Sequence, residues 1–145
     1  MKTVLSVIVV MISFEASGAV HEGSLYPEDA LLISDTVQEH YDGELMVNLA
    51  GTDSSLVLFV ALGCEWTGDT EQWNELMIVS SCAASIDLQR SWSIRDIAVS
   101  FGSSWCRLHM DELLEITDEE LGESEFLERF QAITEIYPMN NGDDN

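Results

Sequence analysis

The sequence predicts an α+β domain in which four antiparallel strands form one sheet with helices packed on one face. The expected order of elements is α-β-β-α-β-β-α. Two stretches of period-two alternation, each centred on a short turn, predict two hairpins. Between them lies a long stretch without Pro or Gly, and an amphipathic stretch at each end of the chain predicts the outer helices.

The central helix is predicted from Thr70 to about Gln89. Asp69 is a good N-cap residue, and its spacing to Gln72 is that of a capping box. We expect Glu75 on the polar side of this helix. The apolar side is one wide arc, made of Trp73, Leu76, Met77, Val79, Ala83, Ala84, Ile86 and Leu88.

The hairpin after this helix has one register that satisfies both strands. Centring it on the Gly102-Ser103 turn pairs Val99 with Cys106 and Ile97 with Leu108 on an apolar face. The opposite face then receives three cross-strand pairs, which are Ser100 with Trp105, Ala98 with Arg107, and Asp96 with His109.

The first half of the chain repeats the same order of elements. A helix begins at Pro27, has the apolar series Ala30, Ile33, Val37 and Tyr41, and ends at Gly43. Two strands follow, 44–50 and 55–63, around a turn at 51–54. The second of them is apolar on both faces, which places it inside the sheet rather than at an edge. One face of this hairpin should carry Leu45, Val47, Leu49, Leu56, Leu58 and Val60.

The C-terminal part is predicted to be mostly helical. Residues 111–120 form an acid-rich connection with one helical turn, and a helix runs from about Ser124 to Ile136 before Pro138 ends it. Its apolar spacing is given by Phe126, Phe130, Ile133 and Tyr137. We expect a single domain over residues 20–137 and a disordered acidic tail over 138–145.

The N-terminus has the pattern of a signal peptide over residues 1–19. Lys2 precedes an apolar run, and Ser17-Gly18-Ala19 is an acceptable cleavage site. A buried strand and an uncleaved anchor are the alternatives. The expected location is therefore extracellular or in the cell envelope, with the cytoplasm as the alternative.

The charge excludes some partners. The chain has 27 acidic residues against 5 Lys and Arg, a net charge of −22. Binding to nucleic acid or to an anionic membrane surface requires a basic patch that this composition does not supply. The acids are spread along the whole chain, which favours adaptation to concentrated salt over a dedicated acidic site.

No motif predicts a catalytic, cofactor or metal site. Asp96 and His109 form a carboxylate–imidazole pair, and the simpler interpretation is a cross-strand charge pair. Cys106-x-x-His109 would point to opposite faces of a strand and so would not bind one ion. The odd number of cysteines leaves at least one unpaired, although Cys64 and Cys82 lie on consecutive elements where a disulfide needs favourable geometry.

The function expected from the sequence is that of an exported, non-enzymatic acidic domain that binds a protein partner or associates with itself. The possible partner contacts are Trp105, Arg107, Asp96 and His109. An intracellular acidic chaperone or adaptor for a basic or amphipathic client is the alternative, since alternating helices and hairpins with a low pI are similar in general architecture to secretion-system chaperones. An enzyme that uses Asp96 and His109 is the weakest hypothesis.

Overall fold

The computed structural model describes residues 20–138, which form an α+β fold with a five-stranded mixed sheet. The predicted signal peptide and the tail beyond residue 138 lie outside the described residues. In chain order the elements are α1 (Pro27–Gln38), β1 (Leu45–Thr52), β2 (Ser55–Leu62), α2 (Thr70–Gln89), β3 (Ile94–Phe101), β4 (Ser104–His109), α3 (Met110–Asp118), α4 (Glu123–Ile133) and β5 (Glu135–Pro138).

The sheet is mixed, so the predicted all-antiparallel sheet is wrong. Its strand order is β1-β2-β3-β4-β5, and β2 and β3 pair in parallel while the other neighbours are antiparallel. The cause is the length of α2. A helix of 20 residues covers about 30 Å at 1.5 Å per residue, enough to carry the chain back past a whole strand. The chain therefore enters β3 at the end where β2 began, and the pair is parallel.

The fifth strand replaces the end of the predicted last helix. The helix α4 ends at Ile133, and β5 then pairs with β4 so that Tyr137 lies opposite Trp105. Tyr137 therefore belongs to the sheet and not to a helical stripe. Pro138 is the last residue of this edge strand, a place where its missing N–H costs nothing.

The register of the second hairpin is confirmed, because Val99 pairs with Cys106 and Asp96 with His109. In the first hairpin the residues that share a face are as predicted, but the register is not. The turn is two residues long, at Asp53-Ser54, instead of the four residues 51–54, so Val47 pairs with Val60. The prediction that β2 is an inner strand is also confirmed, because β1 and β3 flank it.

The bounds, the cap and most of the buried face of α2 are confirmed, with Glu75 and Leu88 as the exceptions. The Asp69 carboxylate accepts a hydrogen bond from the Gln72 backbone N–H at 3.0 Å. The Gln72 side chain binds the preceding loop instead of completing a capping box, accepting from the Thr67 N–H at 2.7 Å. Glu75, expected on the polar side, is buried, and Leu88 is 73% exposed.

Two further helix bounds differ from the expectation. The helix α1 ends at Gln38 rather than near Gly43, although Tyr41 is buried as its spacing implied. The acid-rich segment after β4 forms a full helix, α3, because Met110, Leu113 and Ile116 give it a buried stripe despite the many carboxylates around them.

The core lies between the sheet and the helices, on one side of the sheet. Side chains that face the helices are buried along β1 to β4, including Leu49, Leu58, Val99 and Cys106, each 0% exposed.

Both sheet edges are protected. Residues 20–25 follow β1, where the His21 N–H donates to the Val47 carbonyl at 2.8 Å. Within residues 20–138 no helix has the length and hydropathy of a membrane span.

Candidate functional site

The candidate site is the side of the sheet opposite the core, which we call the open face. Its side chains alternate with the buried ones and form three rows across the strands. The apolar row is Met46, Ala61, Ser100, Trp105 and Tyr137; the middle row is Asn48, Phe59, Ala98, Arg107 and Glu135; and the polar row is Ala50, Val57, Asp96 and His109.

Large apolar side chains are exposed on the open face. Phe59 is 44% exposed, Met46 39% and Tyr137 37%. Phe59 and Met46, together with Trp105, line a cavity of about 410 Å³. Exposed apolar side chains that lie next to one another indicate an interaction site more often than isolated ones do.

Two aromatic rings stack at the edge of this surface. Trp105 and Tyr137 have ring centroids 4.7 Å apart and an interplanar angle of 24°. Trp105 is half-buried, so it is neither fully exposed nor covered by a helix. The stack joins β4 to the short strand β5.

The polar end of the open face is built around Asp96. A bulge between β2 and β3 adds one residue, so Ile94 and Ile97 both face the core and Asp96 faces the open side. Its carboxylate is almost fully buried and accepts from His109 Nδ1 at 2.6 Å. Its second oxygen accepts from the Arg95 and Arg107 guanidinium groups, both at 3.0 Å.

This network shifts the pKa values of its members. Burial alone would raise the pKa of Asp96, but the hydrogen bonds from His109, Arg107 and Arg95 outweigh it and the pKa is lowered. The hydrogen bond to Asp96 raises the pKa of His109. On β5, the hydroxyl of Tyr137 donates to Glu135 at 2.8 Å, and this bond lowers the pKa of the Glu135 carboxyl.

The arrangement connects three strands of the sheet. His109 Nε2 lies 3.5 Å from Glu135 Oε2, so both ring nitrogens face carboxylates. The network crosses from β3 through β4 to β5. We call this network of Asp96, Arg95, Arg107, His109 and Glu135 the clamp. It links the short edge strand β5 to β4 and β3 through ion pairs.

All four predicted contact residues lie on the open face and are adjacent. The hairpin register alone is sufficient to place Trp105, Arg107, Asp96 and His109 on this face. Sequence reasoning missed Tyr137 and Glu135, because it assigned them to a helix and the end of the domain. It also missed Phe59, although a strand that is apolar on both faces was the available signal.

A second surface depression lies between α1 and α2. This groove has a volume of about 820 Å³, and its walls include Leu32, Ile78, Cys82 and Glu75. Glu75 is 7% exposed, and one of its carboxyl oxygens has no hydrogen-bond partner among the described residues. Burial, followed by the charges of Glu71 and Asp69, raises its pKa.

The three cysteines are all free thiols in the described fold. Cys106 faces the core, where burial raises the pKa of its thiol to about 12, while His109 lies on the open face. The two therefore point to opposite sides of β4, as the strand geometry predicts. Within residues 20–138 no cluster of three or more His, Cys, Asp or Glu side chains is placed to hold a metal ion.

Comparisons of the chain with protein-family models, with curated protein sequences and with solved structures gave no match.

Proposed function

We propose that this protein is a non-enzymatic interaction domain that binds a protein through the open face of its sheet. The observation that carries the proposal is the exposed apolar surface around Phe59, next to the Trp105–Tyr137 stack. Aromatic side chains and Met are enriched in the centres of protein interfaces, and charged groups are usual at their rims. The open face has this composition, with the Asp96 network at one end.

The charge distribution supports the choice of this face. Asp96 and Glu135 are its acids, and Arg95 and Arg107 are fully charged bases beside them. The open face is therefore close to neutral on a chain whose net charge is −22. A partner that binds there need not bury unpaired carboxylates, and removing such groups from water is unfavourable.

We further propose that the protein is exported and adapted to concentrated salt. The sequence of residues 1–19 supports export. The large excess of acidic residues, 27 of them in a chain whose lysine is Lys2, supports salt adaptation. Determining the N-terminus of the protein isolated from the cell that makes it tests this part. A mature chain beginning near Val20 in the medium or envelope is expected, and an intact N-terminus on a cytosolic product would overturn it.

The alternative function is that of an intracellular acidic chaperone or adaptor. The groove between α1 and α2 favours it, because apolar walls beside Glu71 and Glu75 suit an amphipathic segment with basic residues. Leu32 in this groove is 48% exposed, close to the exposure of Phe59. The two functions therefore use different faces of the molecule and can be separated by experiment.

A photo-crosslinking amino acid at a single exposed position tests the two functions together. We would place it at Phe59 on the open face, at Leu32 in the groove, or at Leu88 as the control. Leu88 is 73% exposed and does not line either depression. Irradiation is done in the cell that makes the protein, and adducts are identified by mass spectrometry.

The proposed function predicts a specific protein adduct from Phe59 that purified wild-type protein competes away. Adducts from Leu32 alone would support the chaperone or adaptor instead. No adduct from Phe59, or equal yields from Phe59 and Leu88, would overturn the open face as a binding surface. Each variant must keep the wild-type far-ultraviolet circular dichroism spectrum.

A further inference from the structure

We infer that the occupant of the open face is a second copy of this chain, bound face to face in a symmetric dimer. This inference rests on the proposed function and names the partner. In such a dimer both copies use the same surface, so Phe59 on the inner strand β2 would lie near the centre of the interface. The Asp96 network, at one end of the open face, would lie at its rim.

The first argument is charge. Two copies with a net charge of −22 each repel one another. They can approach only where opposite charges balance locally, and the open face meets that condition because Arg95 and Arg107 offset Asp96 and Glu135. A basic partner would gain more from the acid-rich surfaces elsewhere, such as α3 with Asp111, Glu112 and Glu115.

The second argument is that both sheet edges are unsuited to adding a strand. Residues 20–25 already bind β1, where the Leu25 N–H donates to the Leu49 carbonyl at 2.8 Å. At the other edge, β5 has 4 residues and ends in Pro138. Short strands and proline both disfavour edge-to-edge pairing. Association through the sheet would therefore use its face, as in sheet-on-sheet packing.

The size of the face is at the low end for a stable complex. With strands about 4.8 Å apart, the five strands span about 24 Å, and a strand of typical length here spans about 25 Å. The face thus offers about 600 Å² per copy, somewhat less than the roughly 800 Å² per partner of a stable complex. We therefore expect a reversible dimer rather than a permanent one.

Salt should strengthen this dimer. Raising ionic strength from 0.1 to 1 M shortens the screening length from about 10 to about 3 Å. This removes most of the repulsion between the two copies, while the apolar contact remains. Binding of a basic client would show the opposite sign, because salt weakens attraction between opposite charges.

Sedimentation equilibrium of the purified full chain in 0.1, 0.3 and 1 M NaCl tests the inference. We expect the dimer dissociation constant to fall at least about tenfold over this range. Phe59→Glu places a charge at the centre of the interface on each copy and should abolish the dimer at 1 M. Leu88→Glu is the matched control on α2 and should leave the dissociation constant unchanged.

Folding of the variants is checked by circular dichroism and thermal unfolding. If Phe59→Glu does not fold, Met46→Glu makes the same test, since Met46 is 39% exposed in the neighbouring row. A chain that stays monomeric up to millimolar concentration at 1 M salt would overturn the dimer. So would a dimer that salt weakens, or one that Leu88→Glu disrupts and Phe59→Glu does not.

The same cross-linking position separates this inference from the proposed function. An adduct between two copies through Phe59 supports both. An adduct through Phe59 with a different protein, together with a monomer in sedimentation, supports the interaction domain and overturns the dimer. The absence of any specific adduct at Phe59 overturns the proposed function itself.

Discussion

Leu58 and Phe59 are consecutive residues of β2 that meet opposite environments. Leu58 points to the helices and is 0% exposed, whereas Phe59 points to the open face and is 44% exposed. Both are large and apolar, so composition does not distinguish them. The difference teaches that four helices cover only one side of this sheet, and that the apolar residues of the other side have no described element packed on them.

The same contrast holds across the open face itself. Its β1–β2 half is apolar and uncharged, with Met46 and Phe59 exposed. Its β3–β4 half contains Asp96, which is as buried as the core although it lies on the side away from the helices. The charges are buried there because they are paired with one another, while the apolar half has no equivalent internal partner.

The largest expected effect separates Leu58 from Phe59. Leu58→Ala should lower the free energy of unfolding by about 3 kcal/mol, since it leaves a cavity in a closed core. Phe59→Ala should cost less than about 1 kcal/mol in the monomer, because much of the ring is already in water. Urea denaturation in dilute protein measures both. Equal losses would contradict the difference between the two faces.

The next effect concerns the clamp on the open face. Asp96→Asn should lower the free energy of unfolding by about 2 kcal/mol, because Arg95, Arg107 and His109 lose the charge that they share. Glu135→Gln is the control, since Glu135 is 41% exposed and its contact to His109 is 3.5 Å long. It should cost less than about 0.5 kcal/mol. An unchanged free energy of unfolding in Asp96→Asn would show that the clamp contributes nothing to stability.

The smallest effect is the pH dependence of the clamp. The folded-state pKa of His109 is raised above 6.5, so its contribution is complete below pH 6.5 and is lost as pH rises through the folded value. The pKa of Asp96 is lowered below 3.8, so its contribution is present above that pH and is lost as pH falls through the folded value. The clamp should therefore stabilise the fold most between about pH 4 and 6.5.

Unfolding free energies of the wild type and of His109→Gln, measured from pH 5.5 to 8.5, check this window. The wild type should lose more stability than the variant as pH rises, because only the wild type releases the imidazole proton. Identical pH profiles would show that the imidazole and Asp96 are not coupled in the folded state.

Much of the fold and four residues of the open face follow from local patterns. The alternation in residues 96–101 and 104–109 fixed which side chains share a face, and so brought Asp96, Arg107, Trp105 and His109 together. The cap at Asp69 and the lack of Pro and Gly determined α2. The position of β2 inside the sheet followed from its apolar faces. These features depend on neighbours in the chain or on a single turn.

The missed features depend on contacts between distant segments. Tyr137 continues the helical spacing of Phe126, Phe130 and Ile133, and only pairing with β4 makes residues 135–138 a strand. Glu75 is buried and Leu88 is exposed because the neighbouring elements decide which residues of α2 are covered, and periodicity does not reveal where those elements lie.

By itself, the amino-acid sequence determined the hairpins, which of their side chains share a face and the acidic character of this protein, because periodicity and charge are local properties. Only the tertiary structure decided that β2 and β3 are parallel and that β5 completes the sheet. These depend on the direction in which a 20-residue helix returns the chain and on pairing between segments far apart in sequence. They also determine which apolar residues are left exposed.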